Sequence, residues 1–256
     1  MSGSLLTIDG IAKAFGGVRA LAGVSFAVAA GERVAVIGPN GAGKTTLFNV
    51  LDGQLSPDRG RAALAGRTLT GLAPHSIARL GVGRTFQVTA TFASMTVREN
   101  VQVAILAQRG RAYTLLSGMR QQGAAEADIL LDQVGIGTLG NRPAGVLAYG
   151  DLKRLELAIA LAGAPRLLLM DEPTAGLAPP ERARLMRQVS ELARAADAAV
   201  LFTEHDMDVV FAHADRIVVL DRGLVIAVGS PSSVRADPKV RSVYLGDALP
   251  PEPDHA

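Results

Sequence analysis

Three short stretches of this sequence carry side chains whose types and spacing suit chemistry. The first is Gly38-Pro39-Asn40-Gly41-Ala42-Gly43-Lys44-Thr45, which fits G-x-x-x-x-G-K-[ST] in full. Glycines in such a loop let backbone N–H groups converge on phosphate oxygens without side-chain clashes. A helix starting behind them adds the positive end of its dipole. Lys44 can reach the β and γ phosphates of a nucleotide, and the Thr45 hydroxyl can ligate Mg2+. The second stretch is Asp171-Glu172, directly after the apolar run Leu167 to Met170. A carboxylate at a strand end beside a phosphate loop can hold Mg2+ through its waters, and its neighbour can polarise an attacking water. Asp171 is therefore expected at the metal and Glu172 as the base. Adjacent strand residues point to opposite faces, so the chain must turn here, and Pro173 suits a turn. The third is Thr203-Glu204-His205-Asp206, where the His205 imidazole could hydrogen-bond a γ-phosphate; a surface or structural histidine is the plain alternative. His75, His213 and His255 have no motif around them. The amide of Gln87 could position a water, though one glutamine alone means little.

These stretches need a scaffold. Arg33 to Ile37 is a short apolar run with β-branched residues, which reads as a buried strand leading into the phosphate loop. Thr45 to Leu51 can then run as a helix. Arg166 to Met170 and Ala199 to Thr203 read as two more buried strands, each ending at one of the other chemical stretches. Between them the pattern is helical. Thr96 stands three residues before Glu99, a capping-box spacing, and Ala124 to Val134 places Ile129, Leu130 and Val134 at helical intervals. In Asp151 to Ala162, Leu152, Leu155, Ile159 and Ala162 form one stripe, with Lys153, Arg154 and Glu156 elsewhere. Pro179 to Ala196 is amphipathic, with Leu185, Val189, Leu192 and Ala196 on one face. The first thirty residues read as short strands, Arg61 to Leu69 as an edge hairpin, Pro74 to Leu80 as a short helix, and Arg216 to Val228 as a hairpin around Asp221-Arg222-Gly223. Short apolar strands alternating with helices predict an α/β core with a parallel sheet, whose ligands sit at the carboxyl ends of strands. The tail after Gly246, with Pro250, Pro251 and Pro253, reads as disordered.

Bulk properties narrow the class. The 256 residues suit one large domain or a core with a lobe attached. Aromatic residues are 4% against 48% hydrophobic, so the core must be aliphatic. A formal net charge of +2 gives no case for a nucleic-acid partner. The absence of cysteine excludes disulfides, thiolate metal ligands and a thiol nucleophile. No secretory signal and no apolar run of transmembrane length is visible, so a soluble cytoplasmic protein is expected, with any membrane spans supplied by other chains.

Taken together and in this order, the stretches resemble the nucleotide-binding subunits of ABC transporters, over about Leu5 to Gly246. Gly38 to Thr45 is similar to Walker A, Leu167 to Asp171 with Glu172 to Walker B and its catalytic glutamate, Gln87 in Gly83-Arg84-Thr85-Phe86-Gln87 to the Q-loop, and His205 to the switch histidine. Phe15 sits where that family has an aromatic stacking on adenine, a core phenylalanine being the other reading. Leu147-Ala148-Tyr149-Gly150-Asp151 takes the place of the signature, usually Leu-Ser-Gly-Gly-Gln; Ala148 lacks the hydroxyl and Asp151 replaces the amide. Ala175-Gly176-Leu177-Ala178 sits at the D-loop. Glu204-His205-Asp206-Met207, the Leu-Ala-Tyr-Gly signature and the ending through Tyr244-Leu245-Gly246 resemble ATPases of branched-chain amino acid uptake systems, the first of the two ATPases such systems carry. Urea or short-chain amide importers look almost alike, and lipopolysaccharide export ATPases are more distant.

The resemblance implies a P-loop NTPase core with a mostly parallel sheet, an antiparallel β subdomain and an α-helical subdomain at about 87–162, within a single domain over 1–246. It implies ATP and Mg2+. Glu172, His205, Gln87 and Lys44 would be catalytic, and Thr45, Gln87 and Asp171 would lie at the metal. The nucleotide would touch Phe15, Gly38 to Thr46 including Thr45 and Thr46, and, across a homodimer or heterodimer, Leu147, Ala148, Tyr149, Gly150 and Asp151. Transmembrane permease subunits and, indirectly, a periplasmic solute-binding protein would be the partners, with the chain peripheral on the inner face of the cell membrane. A nucleic-acid or ribosome ATPase, a small-molecule kinase with the same loop, and a regulatory binder that holds ATP without hydrolysing it are the rivals.

Overall fold

The computed structural model of the protein describes residues 4–85, 91–110 and 123–245. Two sheets share the chain. A four-stranded antiparallel sheet has the order β2-β1-β4-β5, from β1 (Leu6–Phe15), β2 (Val18–Val28), β4 (Arg59–Leu64) and β5 (Arg67–Thr68). A six-stranded sheet has the order β10-β9-β3-β8-β7-β6. Its strands are β3 (Arg33–Ile37), β6 (Val82–Thr85), β7 (Leu167–Asp171), β8 (Ala199–Thr203), β9 (Arg216–Asp221) and β10 (Leu224–Gly229). All its pairs are parallel except the edge hairpin of β9 and β10.

Strands β7 and β8 are buried along their whole length, and β3 nearly so. Alternation along each strand sends successive side chains to opposite faces, and two cores result. Ala35, Ile37, Leu168, Met170, Val200 and Phe202 face one core. It is shared with helices α3 (Val97–Gln108), α4 (Ala124–Gln133), α5 (Tyr149–Leu161) and α6 (Pro179–Ala195). Val34, Val36, Leu167, Leu169, Ala199 and Leu201 face the other, with helices α1 (Lys44–Leu51) and α2 (Pro74–Arg79) and the antiparallel sheet. A parallel sheet covered on both faces is the arrangement these continuous apolar runs call for. It holds the exits of β3, β7 and β8 side by side at one edge.

The capping box at the head of α3 is formed: the Glu99 amide donates to Thr96 Oγ1 at 3.1 Å, and the Thr96 amide donates to Glu99 Oε2 at 2.8 Å. Helix faces depart in places from the sequence expectation. Ile129 is 57% exposed, while Ala127 and Leu131 point inward. In α6, Met186 and Ala193 join Leu185 and Val189 in the core, and Ala196 is exposed. In α5, Leu155 is buried, but Leu152, Ile159 and Ala162 are only half-buried. Lys153 and Glu156, expected on another face, are both buried and paired at 3.1 Å. Taking two charges out of water nearly cancels their attraction, so such a pair adds little net stability, whereas removing one partner costs about 3–5 kcal/mol.

Candidate nucleotide site

The phosphate loop is shaped by what surrounds it. A β-carbon on Gly38 would lie 2.0 Å from the Leu220 carbonyl oxygen, and one on Gly43 would lie 2.4 Å from that of Ala20. Only glycine fits at either point, and Gly43 also takes φ 105°. Inside the loop the Ala42 amide bonds back to Pro39 O at 3.1 Å. The first intrahelical bond of α1 runs from the Leu47 amide to Gly43 O at 2.9 Å. The amides of Lys44, Thr45 and Thr46 therefore stand at the helix start, where donors have no partner within the helix. Asn40, Gly41 and Thr45 are exposed, and Gly38 and Ala42 are buried. The Lys44 ammonium donates to Gly38 O at 2.7 Å and Pro39 O at 3.1 Å. Burial holds the Lys44 pKa below the usual lysine range, and the nearby charges of Glu172 and Asp171 oppose that shift.

The turn after β7 is present. Glu172 has φ 49°, a left-handed conformation rare for a residue with a side chain. Strain of this kind persists where the surroundings over-determine it. Here the Glu172 amide donates to Thr203 Oγ1 at 3.0 Å and to Thr203 O at 3.2 Å. The turn lets Asp171 and Glu172, neighbours on the chain, both face the same edge.

The exit of β8 holds the exit of β7 residue by residue. Thr203 lies opposite Asp171 in register and donates from its hydroxyl to Asp171 Oδ1 at 2.7 Å. Glu204 Oε1 accepts the Thr174 amide at 2.8 Å. His205 Nε2 meets Glu172 Oε1 at 2.8 Å. Asp206 pairs with Arg182 at 2.6 Å, and Arg182 Nε donates to Leu177 O at 2.7 Å. Burial pushes the Glu204 carboxyl above the usual glutamate range; its bonds with Thr174 and the His205 amide only partly offset this, and the charge of Glu172 adds to it. Burial also pushes Asp206 up, but the Arg182 guanidinium and the amides of Val209 and Asp208 outweigh that and hold it low. Asp171 is 3% exposed, with Arg84 Nη2 3.7 Å from its Oδ2; Arg84 also bonds Asp52.

Lys44, Asp171, Glu172 and His205 are thus brought together. Phe15 is 46% exposed, at the end of β1, with the Lys13 ammonium 5.6 Å from its ring centre, so the core reading of this residue is wrong. Its hairpin partner strand carries the Ala20 carbonyl that abuts Gly43. Gln87 lies outside the described residues, as do the lower bound of the expected helical subdomain and the tail. The segment Leu147 to Asp151 sits apart. Ala148 begins α5 with no side-chain cap, Ala148 and Tyr149 are exposed, and Asp151 pairs with Arg154 at 3.2 Å. Among the described residues no hydrogen bond or ion pair joins this segment to the phosphate loop. Thr203, Glu204, Thr174 and Arg182 were not singled out by sequence. The contacts of Thr203, Glu204 and Thr174 follow from the register of β7 on β8, and their signal in the sequence was their place at or just beyond the ends of two buried strands. Arg182 instead reaches Leu177 O and Asp206 from the start of α6.

Oxygen donors at Thr45 and Asp171 suit a hard cation such as Mg2+. Among the described residues no group of three or more His, Cys, Asp or Glu side chains could hold a metal. A cation here would complete its shell with nucleotide phosphates and water, as Mg2+ commonly does.

Comparison with known proteins fixes the setting. The family model described as "ABC transporter" matches residues 21–175. The chain belongs to this family. It is an ATPase whose domain binds nucleotide and drives transport by hydrolysing ATP. A second model, described as "Branched-chain amino acid ATP-binding cassette transporter", matches residues 225–249. LivG of Salmonella typhimurium, named as a high-affinity branched-chain amino acid transport ATP-binding protein, is 42% identical and is covered over 97% of this chain and 100% of its own. BraF of Pseudomonas aeruginosa, with the same description, is 40% identical over 97% of this chain and 100% of its own. A crystal structure of a nucleotide-free ATP-binding cassette from an ABC transporter superposes with TM-score 0.86 at 32% identity, covering 96% of this chain and 100% of that one. The ADP conformation of such a cassette gives 0.84 at 32%, again over 96% and 100%. No helix among the described residues of the ATPase is long and apolar enough to cross a membrane.

The raised Glu204 carboxyl generates a pH prediction. A carboxyl that binds its proton more tightly when folded contributes stability that is complete below the unfolded glutamate pKa. That contribution is lost as pH rises through the higher folded value. Glu204→Gln keeps an oxygen for the Thr174 amide and removes the titration. Urea unfolding from acid to neutral pH is expected to show the parent losing stability relative to Glu204→Gln as pH rises. A constant offset at every pH would contradict the assignment.

Proposed function

We propose that this ATPase powers an importer of branched-chain amino acids, working through transmembrane permease subunits and paired with a second ATPase subunit, a copy of itself or a similar chain. What carries the hydrolytic half of this reading is the contact of Glu172 with His205 at 2.8 Å, beside a desolvated Lys44. The solute class rests on the full-length likeness to LivG and BraF and on the match at residues 225–249. A position on the inner face of the cell membrane, with a periplasmic solute-binding protein acting upstream, follows from that reading.

Phosphoryl transfer to water asks for charge stabilisation and an in-line nucleophile rather than covalent help. Lys44 already lies against two loop carbonyls. It would exchange them for β and γ phosphate oxygens, while amides of the loop and of Lys44, Thr45 and Thr46 take the rest. Thr45 and Asp171 would hold Mg2+, with Gln87 as the third expected ligand. When bound there, Mg2+ supplies positive charge to the phosphate oxygens. Glu172 would take a proton from the attacking water, and His205 would hold that carboxylate in place and face the γ phosphate. Phe15, exposed on the hairpin next to the loop, offers a face for adenine.

The exposed turn at Leu147 to Asp151 would close on a partner's nucleotide. Gly150 and the first amides of α5 then supply donors and a helix dipole. Closure is favoured only by contacts made in that state; here they come from backbone more than from side chain, because Ala148 has no hydroxyl.

Lys44→Ala is expected to abolish productive ATP binding, and Glu172→Gln to bind ATP but release phosphate about 10²–10⁴-fold more slowly, the range for losing a general base. Nucleotide titration with a phosphate-release assay checks both, and parental turnover in Glu172→Gln would overturn the base assignment. Ala148→Ser is expected to tighten the ATP-bound dimer in sedimentation. A serine there would also cap α5, worth about 0.5–2 kcal/mol, so the decisive quantity is the ATP-dependent part of the change. No ATP-dependent gain would mean that the missing hydroxyl is unimportant here.

A further inference from the structure

The turn at Leu147 to Asp151 is tied within its own subunit to the loop that follows Glu172, and one side chain makes the tie. The Tyr149 hydroxyl donates to Ala175 O at 3.1 Å. Its ring lies so near Gly176 that a β-carbon added there would be 2.9 Å from the ring's Cε1. Behind the ring stands the Lys153 ammonium, 5.5 Å from its centre, close enough for a cation–π contact. Lys153 is itself pinned by the buried Glu156 at 3.1 Å. The next residue, Gly150, packs near Leu177 and Glu181, at the far end of the same loop.

The loop is gripped from its other side as well. Glu204 holds Thr174, and Arg182, anchored by Asp206, holds Leu177 O. Residues 173–178 therefore lie between the exit of β8, which carries His205, and the head of α5. A displacement at Glu172 and His205 has a short, contiguous route to the signature turn of the same subunit.

We propose that Tyr149 is a positioning residue that makes the loop 173–178 and the turn 147–151 move as one body, so that the state of the hydrolytic Glu172–His205 pair sets the position of the turn offered to the partner's nucleotide. This rests on the dimeric reading given above. The expected contact of this turn with the partner's nucleotide is made by its backbone, not by the Tyr149 hydroxyl, which is spent on Ala175 O. Loss of that hydroxyl acts on turnover and leaves ground-state binding of ATP alone.

The test compares the full-length parent, Tyr149→Phe and a variant carrying para-aminophenylalanine at 149, which restores a donor on the same ring. Steady-state hydrolysis is measured in the assembled complex with its permeases. Losing one neutral hydrogen bond is expected to lower kcat about 2- to 10-fold with KM for ATP nearly unchanged, and para-aminophenylalanine to recover most of the loss. Parental kcat in Tyr149→Phe, or a loss that the restored donor does not recover, overturns the proposal. A Glu172→Gln control separates the two layers. Parental turnover in that control overturns the reading of the site itself. Lost turnover there, with parental Tyr149→Phe, overturns the Tyr149 link alone.

Discussion

A methyl group at residue 38 has nowhere to go, because the carbonyl of Leu220 occupies its place, and the carbonyl of Ala20 does the same at residue 43. These two close approaches set the path of the chain between β3 and α1. They come from different sheets: Leu220 belongs to β9 and Ala20 to β2. The phosphate loop is thus clasped where the parallel and antiparallel sheets meet. With the loop's path held, the amides at the head of α1 converge, and the Lys44 ammonium donates to the loop carbonyls of Gly38 and Pro39. Packing fixes this path, although the Ala42 amide, like the Lys44 ammonium, bonds a carbonyl within the loop.

The second requirement is that two carboxylates and an imidazole reach that loop from two other strands. Parallel pairing of β3, β8 and β7 brings their ends to one edge, and covering both sheet faces with aliphatic side chains keeps them there. Each fully buried Val, Leu, Ile or Phe in those strands contributes about 1.5–3 kcal/mol. A left-handed residue typically costs about 1–3 kcal/mol. The core around β7 and β8 is therefore large enough to hold Glu172 in its strained conformation, and Thr203 supplies the two hydrogen bonds that direct it.

Much of this was legible in the sequence, for specific reasons. The strands β3 and β8 were bounded to the residue because each is an apolar run, Val34 to Ile37 after Arg33 and Ala199 to Phe202 before Thr203, ended by a change in chemistry. The need for a turn at Asp171-Glu172 followed from the two-residue period of a strand. Wheel patterns failed at α5, where Lys153 and Glu156 are buried together. A helical period assigns each charge to solvent and cannot see that two opposite charges a turn apart satisfy one another. Ile129 failed in the other direction, since an apolar side chain need not be inside. Phe15 could not be placed by spacing at all, and its exposure rules out the core reading. The grip of residues 203–206 on residues 171–177 was invisible because it depends on which residue of β8 faces which residue of β7. His205 stood out in the sequence, while Thr203 and Glu204, which make equally direct contacts, did not.

The central claim is that main-chain amides of the loop and of the first turn of α1 take the phosphates. Amide hydrogen exchange on the full chain, with and without a non-hydrolysable ATP analogue and Mg2+, measures those donors directly. Strong new protection at residues 41–46, with little change along β1 and β4, is the expected result. Unchanged exchange at residues 41–46 under saturating analogue would contradict it.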